Sequence, residues 1–381
     1  MTNTEIFQKN KHNYRILLLS DINSSHTQKW ALSLAAKGIE IGIFSLNKLK
    51  TNWISGTNNI QILYSPKNEN GDSIISKLSY PFILPELKNA IKKFKPDITH
   101  AHYASSYGLL GALSGFHPFV LSVWGSDVYN FPNSSFLHRS LFKFNLRKAD
   151  KICSTSNTMK AEILKYTGKD ISVVPFGIDL SVYKPFFAHH VFHDNSIVIG
   201  TVKALEEEYG VEYLIEAFEI LLKLAKGYPL KLLIVGKGSL DSYLKAKVKD
   251  LRIEGETVFT GYIPAGEIPF YQNMLTISVF PSLRESFGVS VVEAMACEKP
   301  VVVSNVGGLP EVVEDGVTGI VVPVANAQKL AEAIDKLVKD EDLRKRMGKQ
   351  GRARVERLYN WENNLSSMIK IYDEIIAVKG K

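Results

Sequence analysis

Residues 280–323 read FPSLRESFGVSVVEAMACEKPVVVSNVGGLPEVVEDGVTGIVVP. An apolar strand runs into a loop carrying Glu285, and Ser286-Phe287-Gly288 reads as the opening of a helix. Glu293 falls inside that helix, among Val289, Val291, Val292, Ala294, Met295 and Ala296. A helix apolar on nearly every side is a buried one. A carboxylate within it is costly unless something donates hydrogen bonds to it. Helical side chains lean toward the N-terminus, so Glu293 points back to the helix mouth, where Glu285 lies. That mouth also gathers backbone N–H groups without helical acceptors, a seat for phosphate. Two acceptor-only carboxylates beside an anion seat suit a ligand carrying both hydroxyls and phosphates, and a nucleotide sugar is such a ligand.

Outward from this stretch, strand and helix patterns alternate in two blocks. In the first, strands fit Arg15–Ser20, Ile39–Leu46, Ile60–Tyr64, Asp97–His100, Phe119–Val123, Lys151–Ser154 and Ser172–Val174. Helices fit Ile74–Phe94, Ser106–Ser114, Phe136–Ala149 and Thr158–Tyr166, and a further one runs through Trp30, Leu34 and Lys37. The pattern restarts at Ser196–Thr201, followed by a helix over Val211–Lys226. Further strands fit Leu230–Val235, Thr257–Thr260, Ile277–Phe280, Val301–Ser304 and Gly319–Val322. Three helices broken near Asp340 and Asn360 close the chain. Short apolar strands separated by helices predict parallel sheets covered on both faces. The expected class is therefore α/β, two doubly wound Rossmann-like domains in tandem facing a cleft. Residues 1–180 form the first domain, 181–195 the linker, 196–360 the second domain, and 361–381 a terminal helix.

A chain of 381 residues exceeds one ordinary core, which agrees with two domains. No apolar run approaches the roughly 18 residues that cross a bilayer. The opening segment is polar and Ile16–Leu19 is too short for a signal peptide. The two cysteines, Cys153 and Cys297, lie in apolar segments. A disulfide framework is not indicated, and a cytoplasmic location is expected. Charge is uneven. Residues 1–185 hold 22 Lys+Arg and 12 Asp+Glu, a balance of +10, against a whole-chain value of +7. Lys88, Lys92, Lys93 and Lys95 cluster, as do Arg139, Lys143, Arg147, Lys148 and Lys151. Either this is a solvated surface, or it attracts an anionic acceptor or membrane. Nucleic acid is not expected, because no recognised binding module accompanies the charge.

Other motif loops follow strands. Val235-Gly236-Lys237-Gly238 is a glycine-rich turn, compatible with a plain strand–helix turn or with phosphate approaching the backbone. The dinucleotide fingerprint is absent both here and after the strand ending near Asp21, which argues against a nicotinamide-dependent dehydrogenase. Lys203 is either a solvated loop lysine or a cation for a leaving diphosphate. Glu206-Glu207-Glu208 reads as an acidic loop. His102, in His100-Ala101-His102, is either a satisfied buried histidine or a hydrogen-bonding group at a ligand site, and His26 carries the same two readings. Asp127, in Trp124-Gly125-Ser126-Asp127, either caps the next segment or binds an acceptor hydroxyl. Asp340-Glu341-Asp342 is the start of a charged helix, and no cluster of carboxylates or histidines implies a metal. Gly307-Gly308 and Asp315-Gly316 serve tight turns and close approach.

Together these residues resemble a retaining glycosyltransferase of family 4 (glycosyl transferases group 1), with the two-domain GT-B fold. Glu285-Ser-Phe-Gly-Val-Ser-Val-Val-Glu293 matches that family's paired-glutamate motif. The match continues through Lys299-Pro300, Gly307-Gly308, Pro310-Glu311 and Asp315-Gly316-Val-Thr-Gly319. Val174-Pro175-Phe176-Gly177-Ile178-Asp179 is similar to its linker segment. The resemblance implies that Glu293 binds the donor ribose and Glu285 the transferred sugar. It implies that the amides around Ser286, Phe287 and Gly288 hold sugar and phosphate. Lys203 and the turn at Gly236 stand at the diphosphate, and the Gly261-Tyr262-Ile263 loop holds the base by its backbone. His102 takes the donor–acceptor boundary, with Asp127 nearby, and the helix from about Trp361 crosses back to the first domain. The chain departs from the pattern at two places. Glu208 stands where the family usually has a second lysine, and Asn23-Ser24-Ser25-His26 replaces a Gly-Gly turn. A subgroup is similar in its own stretch to His26-Thr27-Gln28-Lys29-Trp30.

The sequence is therefore expected to encode a metal-independent retaining glycosyltransferase without a cofactor. It is expected to use a UDP- or GDP-sugar and a glycan, lipid-linked or small-molecule acceptor, in glycan or surface polysaccharide biosynthesis. Peripheral contact with the inner face of a membrane fits the basic first half. Two alternatives share the motifs: a GT-B sugar-nucleotide epimerase or hydrolase, and a non-catalytic GT-B binding subunit.

Overall fold

Branched and apolar residues in runs of three to six make strands too short to stand alone, so each must be covered by helices. A computed structural model describes residues 12, 14–67, 80–188, 191–192 and 195–379. Among these, seven parallel strands form the first sheet: β1 (Arg15–Leu19), β2 (Glu40–Phe44), β3 (Ile60–Tyr64), β4 (Ile98–His102), β5 (Phe119–Ser122), β6 (Lys151–Ser154) and β7 (Ile171–Val173). Their order is β3-β2-β1-β4-β5-β6-β7. The helices between them are α1 (Ser25–Ala36), α2 (Tyr80–Phe94), α3 (Ser106–Ser114), α4 (Ser126–Tyr129), α5 (Phe136–Lys148) and α6 (Asn157–Leu164). The expected start of α2 at residues 74–79 lies outside the described residues.

Six parallel strands form the second sheet: β8 (Ile197–Val202), β9 (Leu230–Val235), β10 (Thr257–Gly261), β11 (Ile277–Phe280), β12 (Val301–Ser304) and β13 (Gly319–Val322). They run in the order β10-β9-β8-β11-β12-β13. Its helices are α7 (Val211–Leu224), α8 (Asp241–Asp250), α9 (Ile268–Met274), α10 (Val289–Ala296), α11 (Leu309–Val312), α12 (Ala327–Lys339) and α13 (Glu341–Leu358), and α14 (Trp361–Lys379) ends the chain. The α/β class expected from the alternation is the one observed. Short helices such as α4 and α11 escape periodicity, because four residues make barely one turn.

The chain divides into two compact units. The first comprises Met1–Thr155, Met159–Val174 and Leu365–Lys381, and the second comprises Ser156–Thr158 and Pro175–Asn364. The last helix thus belongs to the second unit for its opening turn and to the first from Leu365 onward. Tyr372 on α14 is fully buried in the first unit. In the second, Trp361 donates from its backbone to Ile178 O at 3.1 Å, and a Cβ on Gly177 would stand 2.6 Å from Trp361 Cα.

Each sheet reverses its strand order once, between β1 and β4 in the first and between β8 and β11 in the second. At such a switch point adjacent loops diverge and open a crevice beyond the carboxyl ends of the strands. The sites described below stand at these two points. The sheets are apolar on both faces, with Ile16 to Leu19, Leu232 to Val235 and Val301 to Val303 all fully or nearly fully buried. Close strand packing also fixes individual glycines. A Cβ on Gly200, in β8, would lie 2.1 Å from Leu233 O of the neighbouring strand and 2.7 Å from the Leu275 side chain. We expect Gly200→Ala to cost about 1–3 kcal/mol by overpacking, seen as a drop of several degrees in calorimetric melting. Gly255→Ala, whose Cβ meets nothing within 4 Å, is expected to melt near the native temperature. Equal melting of the two variants would contradict this account of the sheet.

Candidate functional site

In the second unit, the switch point brings together the loops after β8 and β11. Lys203 directly follows β8, and its ammonium lies 2.6 Å from Glu285 Oε2 in the loop after β11. Both side chains are largely enclosed, at 13% and 11% exposure. The same ammonium stands 4.1 Å over the Tyr209 ring. A cation over an aromatic face and against a carboxylate is held twice. The Tyr209 phenol is pushed well above its ordinary value, first by burial, then by Glu285 and Glu208, and it hydrogen-bonds Glu208.

The backbone around this pair is drawn close. Leu283 and Arg284 both donate to Glu208 O, at 2.8 and 3.1 Å, which ties the two loops. A Cβ on Gly210 would stand 2.3 Å from Pro281 O, and its φ of +59° suits glycine. Under Glu285, Gly308 donates to Glu285 O at 3.1 Å, while a Cβ on Gly307 would fall 1.7 Å from that same oxygen. The glycine pair thus serves close approach to the protein's own backbone. Phe287 is 2% exposed and packs edge-on against Phe176 and Tyr359, at 5.9 and 5.4 Å between centroids.

The helix expected to open at Ser286 instead begins at Val289. Gly288 caps it with φ +101°, a left-handed turn that breaks helical geometry ahead of Val289. In its opening turn, Val291 and Val292 both donate to Gly288 O, at 3.0 and 3.1 Å. Glu293 is partly rather than fully buried. It also has an internal partner that the sequence reading missed, the hydroxyl of Tyr183. Burial, Glu293 and Cys297 together push that phenol far up, so it stays a donor. Tyr183 lies in the stretch read as linker, where no periodicity marks a contact. Cys297 is buried, and burial lifts its thiol to about 12, which leaves it inert.

Gly236 has φ +139°, and its Cβ would meet Lys203 O at 1.9 Å, so this glycine shapes the backbone that carries Lys203. Helix α8 opens at Asp241, beyond the glycine turn, and Ser239 N and Oγ are both taken by the Glu206 carboxylate. An internal anion therefore sits on the turn where an external phosphate was one reading. Gly261 O accepts from Gly236 N at 3.1 Å. The Tyr262 side chain is 74% exposed, and Ile263 packs on a small apolar cluster with Val235 and Leu275.

In the first unit, His102 ends β4 at the other switch point. Its Nδ1 lies 2.9 Å from Ser20 Oγ after β1, and Ser20 Oγ lies 2.6 Å from Thr27 Oγ1. His102 is 1% exposed, and that contact engages Nδ1 rather than Nε2. The ring lies tilted on Trp124 at 4.3 Å, and His26 and Tyr103 meet Trp124 edge-on at 5.6 and 5.3 Å. Below, His100 touches His102 edge-on at 4.7 Å. His100 shares hydrogen bonds with Tyr372 of α14 at 2.6 Å and Ser122 at 2.8 Å. Tyr103 takes φ +73°, a strained left-handed geometry for a tyrosine beside a candidate site.

Asp127 is 2% exposed, and its carboxylate accepts from Ala104 N at 2.7 Å, Gly125 N at 2.8 Å and Trp124 N at 3.1 Å. Burial raises its pKa and these N–H groups pull it back. It knits the loop after β4 to the loop after β5, whereas the cap of α4 itself is Gly125, with no side-chain bond. Among the described residues, no group of three or more His, Cys, Asp or Glu gathers as a metal centre. No described helix is long and apolar enough to cross a membrane.

The glycosyl transferases group 1 pattern matches residues 183–354, and a glycosyl transferase 4-like pattern matches residues 15–156. The chain belongs to this glycosyltransferase family. It is an enzyme of the transferase class, and the paired-glutamate resemblance is confirmed at family level. An uncharacterized glycosyltransferase of Methanocaldococcus jannaschii is 28% identical over 297 residues, covering 76% of this chain and 78% of that protein. Sucrose-phosphate synthase of Thermosynechococcus elongatus shares the fold at TM-score 0.83 and 22% identity, over 96% of this chain and 100% of that one. The Anabaena protein HepE, solved with UDP-glucose, superposes at TM-score 0.75 and 18% identity, over 95% and 100% of the chains. These likenesses confirm the two-domain GT-B fold.

The histidines make stability depend on pH. Burial lowers His100 to about 3, burial and Lys29 lower His26 to about 4, and burial with its histidine neighbours holds His102 well below the usual range. The folded state therefore binds fewer protons than the unfolded one as pH falls below roughly 6.5. Stability is full above that pH and declines below it, by about 1.4 kcal/mol per pH unit for each buried histidine. Melting followed between pH 7 and 5 should show this fall, with a shallower slope in His100→Asn. Identical slopes would mean that His100 is protonated in the fold.

Proposed function

We propose that this glycosyltransferase moves a sugar from a nucleoside-diphosphate donor held by the second unit to a hydroxyl of a glycan, lipid-linked or small acceptor held by the first. The configuration at the sugar carbon is retained. The observation that carries this reading is the Lys203–Glu285 pair at the switch point beside the mouth of α10. Lys203 would carry the diphosphate charge, and Glu285 the sugar hydroxyls. Glu293 would accept from the ribose, sharing its oxygens with Tyr183. Likeness to a protein that binds UDP-glucose supports a uridine donor as the first to test, ahead of a guanosine one.

In the step itself, the acceptor oxygen forms its bond to the sugar carbon as the bond to the diphosphate oxygen breaks. The acceptor proton passes to the departing phosphate on the same face. Glu285 spends its charge on Lys203, which fits a hydroxyl-binding role better than that of a nucleophile. Lys203 and the amides at Phe287 and Gly288 stabilise the developing negative charge, and the reading needs no metal or cofactor. Burial keeps His102 neutral, so it serves as a hydrogen-bonding partner at Nε2 rather than as a fixed cation. Asp127 supports that loop. A role in glycan or surface polysaccharide biosynthesis, inside the cell and at the membrane, fits the basic first unit.

Lys203→Ala is expected to lower kcat roughly 100- to 1,000-fold, the scale of losing one charge-stabilising group. Glu293→Ala should weaken UDP binding in calorimetry while melting like the native protein. If both variants kept native transfer with a UDP- or GDP-sugar, the site would be wrongly placed. Turnover of the donor without any acceptor would instead favour an epimerase or hydrolase.

A further inference from the structure

One surface of the first unit is built unlike the rest. Helix α5 begins with Phe136 and Leu137, which are 85% and 65% exposed. Ser135 caps the helix, its Oγ accepting from His138 N, so the two apolar side chains sit on an ordered first turn. Phe136, Ser140, Lys143 and Arg147 follow one another at spacings of three and four, which places them on one stripe of the helix. All four are exposed, and α5 contains no Asp or Glu. Its other face is buried through Phe142, Asn145 and Leu146.

Beside the basic end of the stripe lies a pocket of about 420 Å³, lined by Ser140, Lys143, Phe144 and Arg147 from α5 and by Tyr166, Thr167 and Lys169 beyond α6. Three cations line it beside the Phe144 and Tyr166 rings, while Ser140 Oγ donates to Phe136 O and Thr167 Oγ1 accepts from Lys169 N, a mixed lining suited to a phosphate-bearing headgroup with an apolar flank. Lys169 is fixed there by donating to Arg147 O and Ala149 O, the last carbonyls of α5. Nearby carboxylates are engaged elsewhere: Asp170 by Lys151 at 3.1 Å, and Asp150 by His117 at 2.7 Å. Helix α2 offers a contrast. Phe82 is 82% exposed there, but Glu86 occupies the position one turn on, so lysines and aromatic do not share an acid-free stripe.

We propose that the α5 face docks on an anionic phospholipid bilayer. The helix lies along the interface, Phe136 and Leu137 enter the acyl boundary, and the pocket at Lys143, Arg147 and Lys169 takes a lipid phosphate. An acid-free basic stripe continuous with exposed aromatic and aliphatic side chains is the composition of an interfacial helix. A polar protein partner would use the cations but leave the phenyl ring in water. This goes beyond a general attraction of the basic first unit to membranes, since it names one helix and one pocket. It stands or falls separately from the donor site.

The test is co-sedimentation of the full chain with vesicles of phosphatidylcholine alone and of phosphatidylcholine mixed with phosphatidylglycerol. The native protein should bind only the mixed vesicles. Each cation removed is worth roughly fivefold at an anionic surface, so Lys143→Glu with Arg147→Glu should weaken binding by at least about 25-fold. Phe136→Ser should lose several-fold and leave the remaining binding more sensitive to salt. Lys92→Glu with Lys93→Glu on α2 should stay close to native. Calorimetric melting of every variant reports whether the fold is intact, independently of any donor. If the double reversal fails that control, Lys143→Gln with Arg147→Gln decides the point. Native-like vesicle binding by the α5 variants overturns the proposal. So does equal binding to neutral vesicles, a loss confined to the α2 variant, or binding of inorganic phosphate without any binding to vesicles.

Discussion

A lysine and a glutamate on separate strand ends neutralise each other at the switch point of the second sheet. The contact between Lys203 and Glu285 lets both charges stay largely enclosed, where either alone would carry a desolvation penalty of several kcal/mol. Much of the surrounding backbone serves that contact. Gly236 lets the chain pass over Lys203 O, Gly307 lets it pass under Glu285 O, and the carbonyl of Glu208 ties the two loops. The pair is thus a poised arrangement. On the proposed function, a diphosphate arriving there would compete with Glu285 for the ammonium, and the glutamate released would accept from sugar hydroxyls.

The first unit repeats the same geometry with a different chemistry. Its switch point holds neutral, hydrogen-bonded rings instead of opposed charges. Ser20 orients His102, Trp124 covers one face, and His100 backs the ring while reaching Tyr372 on the terminal helix. A neutral surface of this kind can order hydroxyls without repelling or trapping a charged donor. One fold repeated in tandem therefore yields a charged site and an uncharged one, set by the residues at two strand ends.

Much of this was legible in the sequence. Six strands, including β3, β9 and β11, match their expected bounds residue for residue, because short branched runs bounded by polar turns leave little ambiguity. The positions of Lys203 directly after β8 and of Glu293 inside the helix that follows β11 were legible from the strand and helix patterns around them. What could not be read were contacts made across sequence distance by residues of ordinary local appearance. Tyr183 lies in an aperiodic stretch, yet it serves Glu293. Trp124 was quoted only as part of a turn, yet it is the centre of the aromatic group around His102. Gly236 was open between a plain turn and a phosphate turn, and the structure adds what neither reading held, its close approach to Lys203 O, with Glu206 occupying the amide of Ser239. The start of α10 was misplaced because Gly288 adopts a left-handed conformation that spacing alone does not reveal.

The tie between the loops at residue 208 runs through a peptide carbonyl, and every residue has one. Whatever side chain stands there, Leu283 and Arg284 can still make their bonds to it. The architecture has therefore decoupled scaffolding from chemistry at this one position. Exchanging that side chain would leave the bracing bonds in place and remove only its bond to the Tyr209 hydroxyl, so the charge beside Lys203 can change while the framework stays.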